Sequence, residues 1–422
     1  MNSGRRPRLA LVHGEGLGMP MILAESADAA GCDLVWVIDS ATVTSDWLMR
    51  LLRKLGTTLD IAGMSDDEAA EALRACEPDG IIAYAEPLIP IASALAVRLG
   101  LDYHDEATTR RLTDKFAQRQ ALRDAGLPVP RFVVVPGDPS AEEIDALMTS
   151  VDFPVVLKPR RGAAGRDTVL ARDPDELRHL IAEHATPPGD TPTSSMIVEE
   201  YLVGASPPPS PIFADYVSVE SVVSAGTISH LAVTGRFPLA PPFRESGFVI
   251  PSDLGPSDRR DVLDVASQAI TALGVRVGFL HTEIKLTPDG PRVIEVNGRL
   301  GGDIPDMMTH AAGVDLLSMS KRVALGEHVV FDGLIPTSRV GYVFYVQAPQ
   351  SARRVLRVEG LAELGELPGV DSVFLARQPG DDVDWREGSH QFVFSVIGAA
   401  DDYEGVLATK RFVDEEVTMT FE

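Results

Sequence analysis

Over the first hundred residues, short apolar runs alternate with stretches whose apolar residues recur every three or four positions. RLALVHG (8–14), DLVWVID (33–39) and GIIAYAE (80–86) have the length and content of buried strands. MPMILAESADAAG (19–31) and SDDEAAEALRACE (65–77) carry helical periodicity. That alternation predicts a parallel α/β layer. DEATTRRLTDKFAQRQALRDAGLPVPRF (105–132) then reads as one amphipathic helix ended by Gly126 and a Pro-rich exit. FPVVLKPRRGAAGRDTVLA (153–171) reads as strand, glycine loop, strand. Asp173 caps the next helix, with Pro174 at its first position and Glu176 in capping-box place. SSMIVEEYLVG (194–204) reads as a strand running into GASPPPSP (204–211), which can hold no regular structure.

DYVSVESVVSAGTISHLAV (215–233) is a hairpin pattern with an Ala-Gly turn, and GRFPLAPPFRESGFVIPSDLG (235–255) reads as a long irregular loop. A helix (259–274) precedes a second hairpin, HTEIKLTPDGPRVIEVN (281–297), turning at Pro288-Asp289-Gly290. RVGYVFYVQAP (339–349) and HQFVFSVIG (390–398) are strand-like and suggest a closing α+β part. The expected division is 1–105, 106–205, 206–335 and 336–422. No repeat and no low-complexity tail interrupts it.

Composition narrows the reading. With 422 residues, 45% hydrophobic and 24% charged, the chain can bury a large core. No apolar run approaches the ~20 residues of a membrane span, and the basic N-terminus has no leader pattern. Cys32 and Cys76 form neither a disulfide framework nor a metal spacing, so the cytoplasm is the expected compartment. Thirty-eight basic against 62 acidic residues give a net charge of −24, which argues against a nucleic-acid partner. An acidic chain that binds an anionic substrate must concentrate its cations locally. The informative places are therefore those where Lys or Arg adjoins glycine.

Lys158 closes an apolar strand just before Arg-Arg-Gly162-Ala163-Ala164-Gly165. Such a loop lets backbone N–H groups approach phosphate oxygens. It is not a Walker A loop, because no G-K-[ST] follows and the next element is a strand. Strand alternation points Glu199 and Glu200 to opposite faces. If the second hairpin folds symmetrically about Asp289, Glu283 faces Glu295 and His281 faces Asn297, about 5 Å apart. Facing carboxylates destabilise a sheet unless a cation joins them. With Asn297 they supply the hard oxygens that Mg²⁺ takes beside substrate phosphates. Arg299, in Gly298-Arg299-Leu300-Gly301-Gly302, sets a guanidinium just beyond, suited to developing charge. The glycine-rich turn His13–Gly18 offers a rival reading, a dinucleotide site in an NAD-dependent oxidoreductase or nucleotide-sensing module, although its G-x-G-x-G spacing departs from the fingerprint.

In chain order, Lys115 on a helix, Lys158 before a glycine loop, Glu-Glu-Tyr-Leu and an acidic hairpin ending E-x-N-x-R resemble the ATP-grasp superfamily. Within it, DYVSVESVV and HTEIKL resemble the bacterial L-amino-acid (dipeptide) ligases of the bacilysin-synthesis type, over roughly residues 100–330. The resemblance implies an N-terminal parallel α/β (pre-ATP-grasp) domain, an ATP-grasp fold and a C-terminal α+β subdomain. It implies a carboxylate–amine ligase that forms an amide or peptide bond through an acyl phosphate, releasing ADP and phosphate. A ligase or carboxylase with a non-amino-acid acceptor is the alternative.

The cofactors implied are ATP and Mg²⁺, with Mn²⁺ as a substitute; the partners are small carboxylic acids and amines, and the resemblance allows a homodimer. By the same resemblance Lys115 and Lys158 contact the nucleotide phosphates or the adenine edge, Gly162, Ala163, Ala164 and Gly165 form a flap over the triphosphate, and Glu199 or Glu200 with the backbone of Tyr201 and Leu202 receives the adenine. Glu283, Glu295 and Asn297 hold the metal, and Arg299 and Lys158 act in catalysis. Substrate contacts fall on Glu245, Phe248, Arg299, Gly302 and Asp303. Two positions depart from the family: Phe248 stands where the dipeptide ligases have histidine, and Asp303 where they have tryptophan.

Overall fold

The structure, a computed structural model, describes residues 5–14, 19–43, 45–136, 139–184, 196–205 and 213–422. Residues 15–18 of the glycine-rich first turn and 206–211 of the Pro/Ser segment lie outside them.

The N-terminal runs form a four-stranded parallel sheet, with Thr57–Asp60 at one edge, then Asp33–Ile38, Arg8–His13 and Gly80–Ala83. Both faces are covered, which is why Asp33–Ile38, Arg8–His13 and Gly80–Ala83 are largely apolar rather than alternating, while the edge strand Thr57–Asp60 is polar and partly exposed. Leu9, Leu11, Trp36 and Ile38 bury against Leu23 and Leu52 on one side. Ala10, Val12, Val35 and Val37 bury against Ala69, Leu73 and Leu95 on the other.

The single helix expected over 105–126 is two helices, Glu106–Thr113 and Lys115–Asp124. Asp114 separates them. Its backbone is extended, and its carboxylate accepts from the N–H groups of Phe116 and Ala117 at 3.0 and 3.4 Å. An N-cap at this point outweighs helical continuity, and it sets Lys115 at the first position of the second helix.

A small antiparallel sheet joins Phe132–Val135, Met196–Glu200, Val155–Pro159 and Val169–Ala171. The helix Pro174–His184 beside it is capped by Asp173, but Glu176 reaches back to the N–H of Arg172 rather than to that of the cap.

The largest sheet has eight strands, all antiparallel: Gly290–Asn297, Gly278–Thr287, Tyr216–Ser224, Thr227–Arg236, Gly247–Ile250, Val340–Gln347, Phe392–Ala400 and Val370–Leu375. Two expectations change here. The stretch 235–255 is not irregular throughout, because Gly247–Ile250 is an inner strand of this sheet. The expected boundary at 335/336 falls inside one continuous sheet, since Val340–Gln347 and two later strands extend it. The helix Pro256–Leu273 buries Val262, Ala266, Ala269, Ile270 and Leu273 beneath it. The helices Ile304–Ala312 and Leu316–Ala324 contribute to the adjoining core. Val355–Glu359 and Thr418–Phe421 pair separately. No helix among the described residues is long and apolar enough to cross a membrane.

Candidate active site

The two lysines expected at the nucleotide converge. Lys115 donates to the Gly162 carbonyl at 2.6 Å and meets Glu295 at 2.9 Å. Lys158 lies 2.7 Å from Glu199, which Arg119 also grips at 2.9 and 3.0 Å. Glu199 is buried, and burial alone would raise its pKa; Arg119 and Lys158 overcome that and hold it at about 2. Burial lowers the pKa of Lys158, since Glu199 only partly offsets it. Between the two candidate glutamates, then, Glu199 turns inward to the lysine. Glu200 turns outward, accepting from the Arg131 N–H at 3.1 Å and lying 3.8 Å from Arg292. The Tyr201 N–H is taken by the Pro154 carbonyl at 3.2 Å.

The acidic hairpin pairs Glu283 with Glu295 and His281 with Asn297, as expected, but by a different route. Near the turn Thr287 pairs with Gly290 and Ile284 with Val293, one residue out of step with symmetry about Asp289. A bulge at Ile294 restores the register, and without it Glu283 would face Ile294. In consequence Val293 and Val296 are the buried partners on this strand, whereas Ile294 is half-exposed. The Ile294 carbonyl accepts from Arg119 instead.

Glu283 and Glu295 are not bare. Glu295 has Lys115, and Glu283 sits 3.6 Å from His281 Nε2. Burial raises the pKa of Glu283, but the nearby His281 and the charge of Arg236 prevail and bring it to about 2. Among the described residues no group of three or more His, Cys, Asp or Glu could hold a metal. The donors are two carboxylates and the Asn297 amide, whose nitrogen faces the His281 carbonyl at 3.5 Å. That set is sparse and all oxygen, which suits Mg²⁺ completed by phosphates and water.

Behind the hairpin, the same sheet face carries charges that the sequence reading passed over. Glu220 accepts from Ser218 at 2.7 Å, from Thr234 at 3.0 Å and from His281 Nδ1 at 2.9 Å. His281 Nε2 lies 2.7 Å from an Arg236 amino group, and Arg236 meets Glu245 at 2.6 Å over the Phe248 ring, 3.9 Å to its centroid. His281 is therefore part of a buried polar chain. Burial lowers its pKa, and the Glu220 carboxylate more than reverses this. Phe248, where histidine was expected, serves as the flat surface on which Arg236 lies. Asp303 accepts from the Tyr345 hydroxyl at 2.5 Å, and the Tyr345 ring packs edge-on to Phe248. The space beside Gly302 is thus met by Tyr345, from the strand Val340–Gln347, and burial raises the pKa of Asp303.

Glu86, just past the last parallel strand, enters the same site from the N-terminal layer. It is 5% exposed, and one carboxylate oxygen has no hydrogen-bond partner. Burial and then the like charge of Glu295 push its pKa up to about 7, while Lys115 and Arg299 pull the other way. Arg299 donates to the Leu300 carbonyl at 2.9 Å and has no ion pair among the described residues.

Residues 112–303, which hold both lysines, the glycine loop, Glu199, the polar chain, the acidic hairpin and Arg299, match a family model described as an ATP-grasp domain. That segment is similar to an ATP-grasp domain. Several relatives of this chain are named as ligases or synthases. Human carnosine synthase 1 is 27% identical over 283 residues, 62% of this chain but 33% of that enzyme. The alanine–anticapsin ligase of Bacillus subtilis is 26% identical over 225 residues, 51% of this chain and 47% of the relative. The crystal structure of an L-amino acid ligase from Bacillus licheniformis superposes with a TM-score of 0.78 at 20% identity, covering 99% of this chain and all of that one, which shows a shared fold. Glu86 and the strand Val340–Gln347 carrying Tyr345 lie outside the matched segment.

Proposed function

We propose that the protein is an ATP-dependent ligase joining the carboxylate of one amino acid, or of an amino-acid-like acid, to an amine. The reading rests chiefly on one observation: Lys115 bridges the glycine loop at Gly162 and the acidic hairpin at Glu295. Nucleotide-covering loop and metal-type carboxylates therefore share one site. The relatives named alanine–anticapsin ligase and carnosine synthase favour an amino-acid substrate.

Mg²⁺, which Glu283, Glu295 and the Asn297 amide would hold, would supply neutralisation of the nucleotide's phosphate charge. The chain's own residues do the rest. Lys158 and Lys115 offer ammonium groups to the phosphates. Arg119 fixes Glu199, which keeps Lys158 aimed. A substrate carboxylate attacks the γ-phosphorus, ADP leaves, and an acyl phosphate results. Arg299, which has no ion pair among the described residues, is a cation available to meet the acyl oxygen. The incoming amine then displaces phosphate.

Because Arg236 already neutralises Glu245, that carboxylate would share rather than solely bear a substrate ammonium. Asp303, joined to Tyr345, would select a polar or cationic side chain. The test is to incubate the protein with ATP, Mg²⁺ and pooled amino acids. ADP and new condensed masses are expected; AMP with pyrophosphate as the only nucleotide products would overturn the acyl-phosphate route.

A further inference from the structure

The glycine loop does not end in solvent. It docks on the short helical segment Trp385–Gln391, far along the chain and outside the matched ATP-grasp segment. The Ser389 N–H donates to the Ala164 carbonyl at 2.8 Å, the Asp167 N–H donates to the Arg386 carbonyl at 3.0 Å, and Arg166 meets Glu387 at 3.2 Å. Ala164 and Asp167 have φ of +60° and +49°, an unfavourable region for residues with a Cβ. They are the two residues whose backbone groups the segment holds, so docking maintains the loop's shape. Contact is close enough to require glycine on the other side. A Cβ on Gly388, whose φ is +77°, would lie 2.3 Å from the Ala164 carbonyl oxygen and 2.7 Å from the Arg166 nitrogen.

The same segment grips the substrate side. The Ser389 hydroxyl accepts from the Glu245 N–H at 2.9 Å. Gln347 donates to both the Glu245 and Ser389 carbonyls, at 2.8 and 3.1 Å. Ser389 is buried, and Trp385 packs against the core of the small sheet.

We propose that Ser389 is a positioning residue which couples the glycine loop over the nucleotide to the Glu245 side of the substrate pocket, with Gly388 permitting the close approach. This rests on the ligase reading for its purpose: an acyl phosphate survives only if the loop closes when the pocket is formed, keeping water out. The coupling itself depends only on the contacts described. By linkage, whatever orders one end must favour the other to the same degree.

Hydrogen exchange of the full chain with and without Mg²⁺ and the non-hydrolysable nucleotide AMP-PNP tests it. In the wild type, nucleotide should slow exchange in peptides covering 160–168 and also in those covering 243–250. In Ser389→Ala, protection should remain at 160–168 and fall at least about fivefold at 243–250; Ser389→Thr, which keeps the hydroxyl, should restore it. Equal protection at 243–250 in wild type and Ser389→Ala overturns the proposal. In Gly388→Ala without nucleotide, amides of 160–168 should exchange about tenfold faster while the N-terminal sheet is unchanged; unchanged exchange there also overturns it. If AMP-PNP protects nothing in the wild type, the ligase reading falls, and the Gly388→Ala comparison still decides whether the segment holds the loop.

Discussion

Replacing Arg119 with methionine probes the joint on which the site turns. Arg119 is 1% exposed, and it grips Glu199 in the small sheet and the Ile294 carbonyl in the acidic hairpin. Glu199 is held at about 2 instead of the usual 4.5, a difference of about 3 kcal/mol at ~1.4 kcal/mol per pK unit. Lys158 shares that work, so roughly half is lost with Arg119, and the stranded Ile294 carbonyl adds ~1–2 kcal/mol. The sum, about 3 kcal/mol, sits at the low end for breaking a buried ion pair.

Urea unfolding followed by circular dichroism at pH 7 should show the midpoint falling by about 1 M, taking a slope near 3 kcal/mol per molar. The sign of the pH dependence follows from the depressed pKa. Glu199 contributes stability above the unfolded carboxylate value, and that contribution disappears as pH falls toward the folded value. The gap between wild type and Arg119→Met should therefore be full at pH 7 and narrow from about pH 4.5 downward. Unchanged midpoints at pH 7, or a gap that widens on acidification, would refute the assignment.

Glu295→Gln should reduce ATP turnover at least ~100-fold, the upper end of what even a supporting residue around a metal costs. Because Lys115 already offsets the facing carboxylates, it should lower the melting temperature of the metal-free protein rather than raise it; a rise would mean that the repulsion stands unbalanced. Lys321 is buried against Ser26 and Tyr84 at 2.6 and 3.1 Å, and burial lowers its pKa to about 8. Its charge opposes folding below that value, and the cost is relieved as pH rises through about 8 toward 10.5. Wild-type stability measured by urea titration should hence gain up to ~3 kcal/mol from this group across that interval, and Lys321→Met should flatten the rise; parallel pH profiles would exclude it.

Much of the fold was legible because it is written locally. Apolar runs gave the parallel sheet, and Ala225-Gly226, with φ of +49° and +80°, gave the first hairpin. The metal-type carboxylates were legible for a partly fortuitous reason. Symmetry about Asp289 pairs Glu283 with Glu295 only because the bulge at Ile294 corrects a turn that begins out of step. What escaped was assembled across distance. Arg119 and Glu199 are 80 positions apart, and Glu220 and His281 are 61. A signal was nonetheless present: Glu220 interrupts VSVESVV, and Arg236 ends a strand that is buried from Leu231 onward. An unpaired charge is expensive there, so each demanded a partner. Glu86 and Ser389 carried no such signal, since an acid after a strand and a serine in a polar stretch are ordinary.

The seamless passage of the eight-stranded sheet from Gly247–Ile250 into Val340–Gln347 bears on how this protein can be dissected. A fragment cut at residue 303 or 335 would strip the partner from Gly247–Ile250 and leave its backbone donors and acceptors on an open edge. Phe248, Val249 and Ile250, all buried in the whole chain, would face water beside it. Such a fragment invites edge-to-edge aggregation. The catalytic module recognised in the sequence is thus shorter than the smallest piece that can be expected to stay soluble.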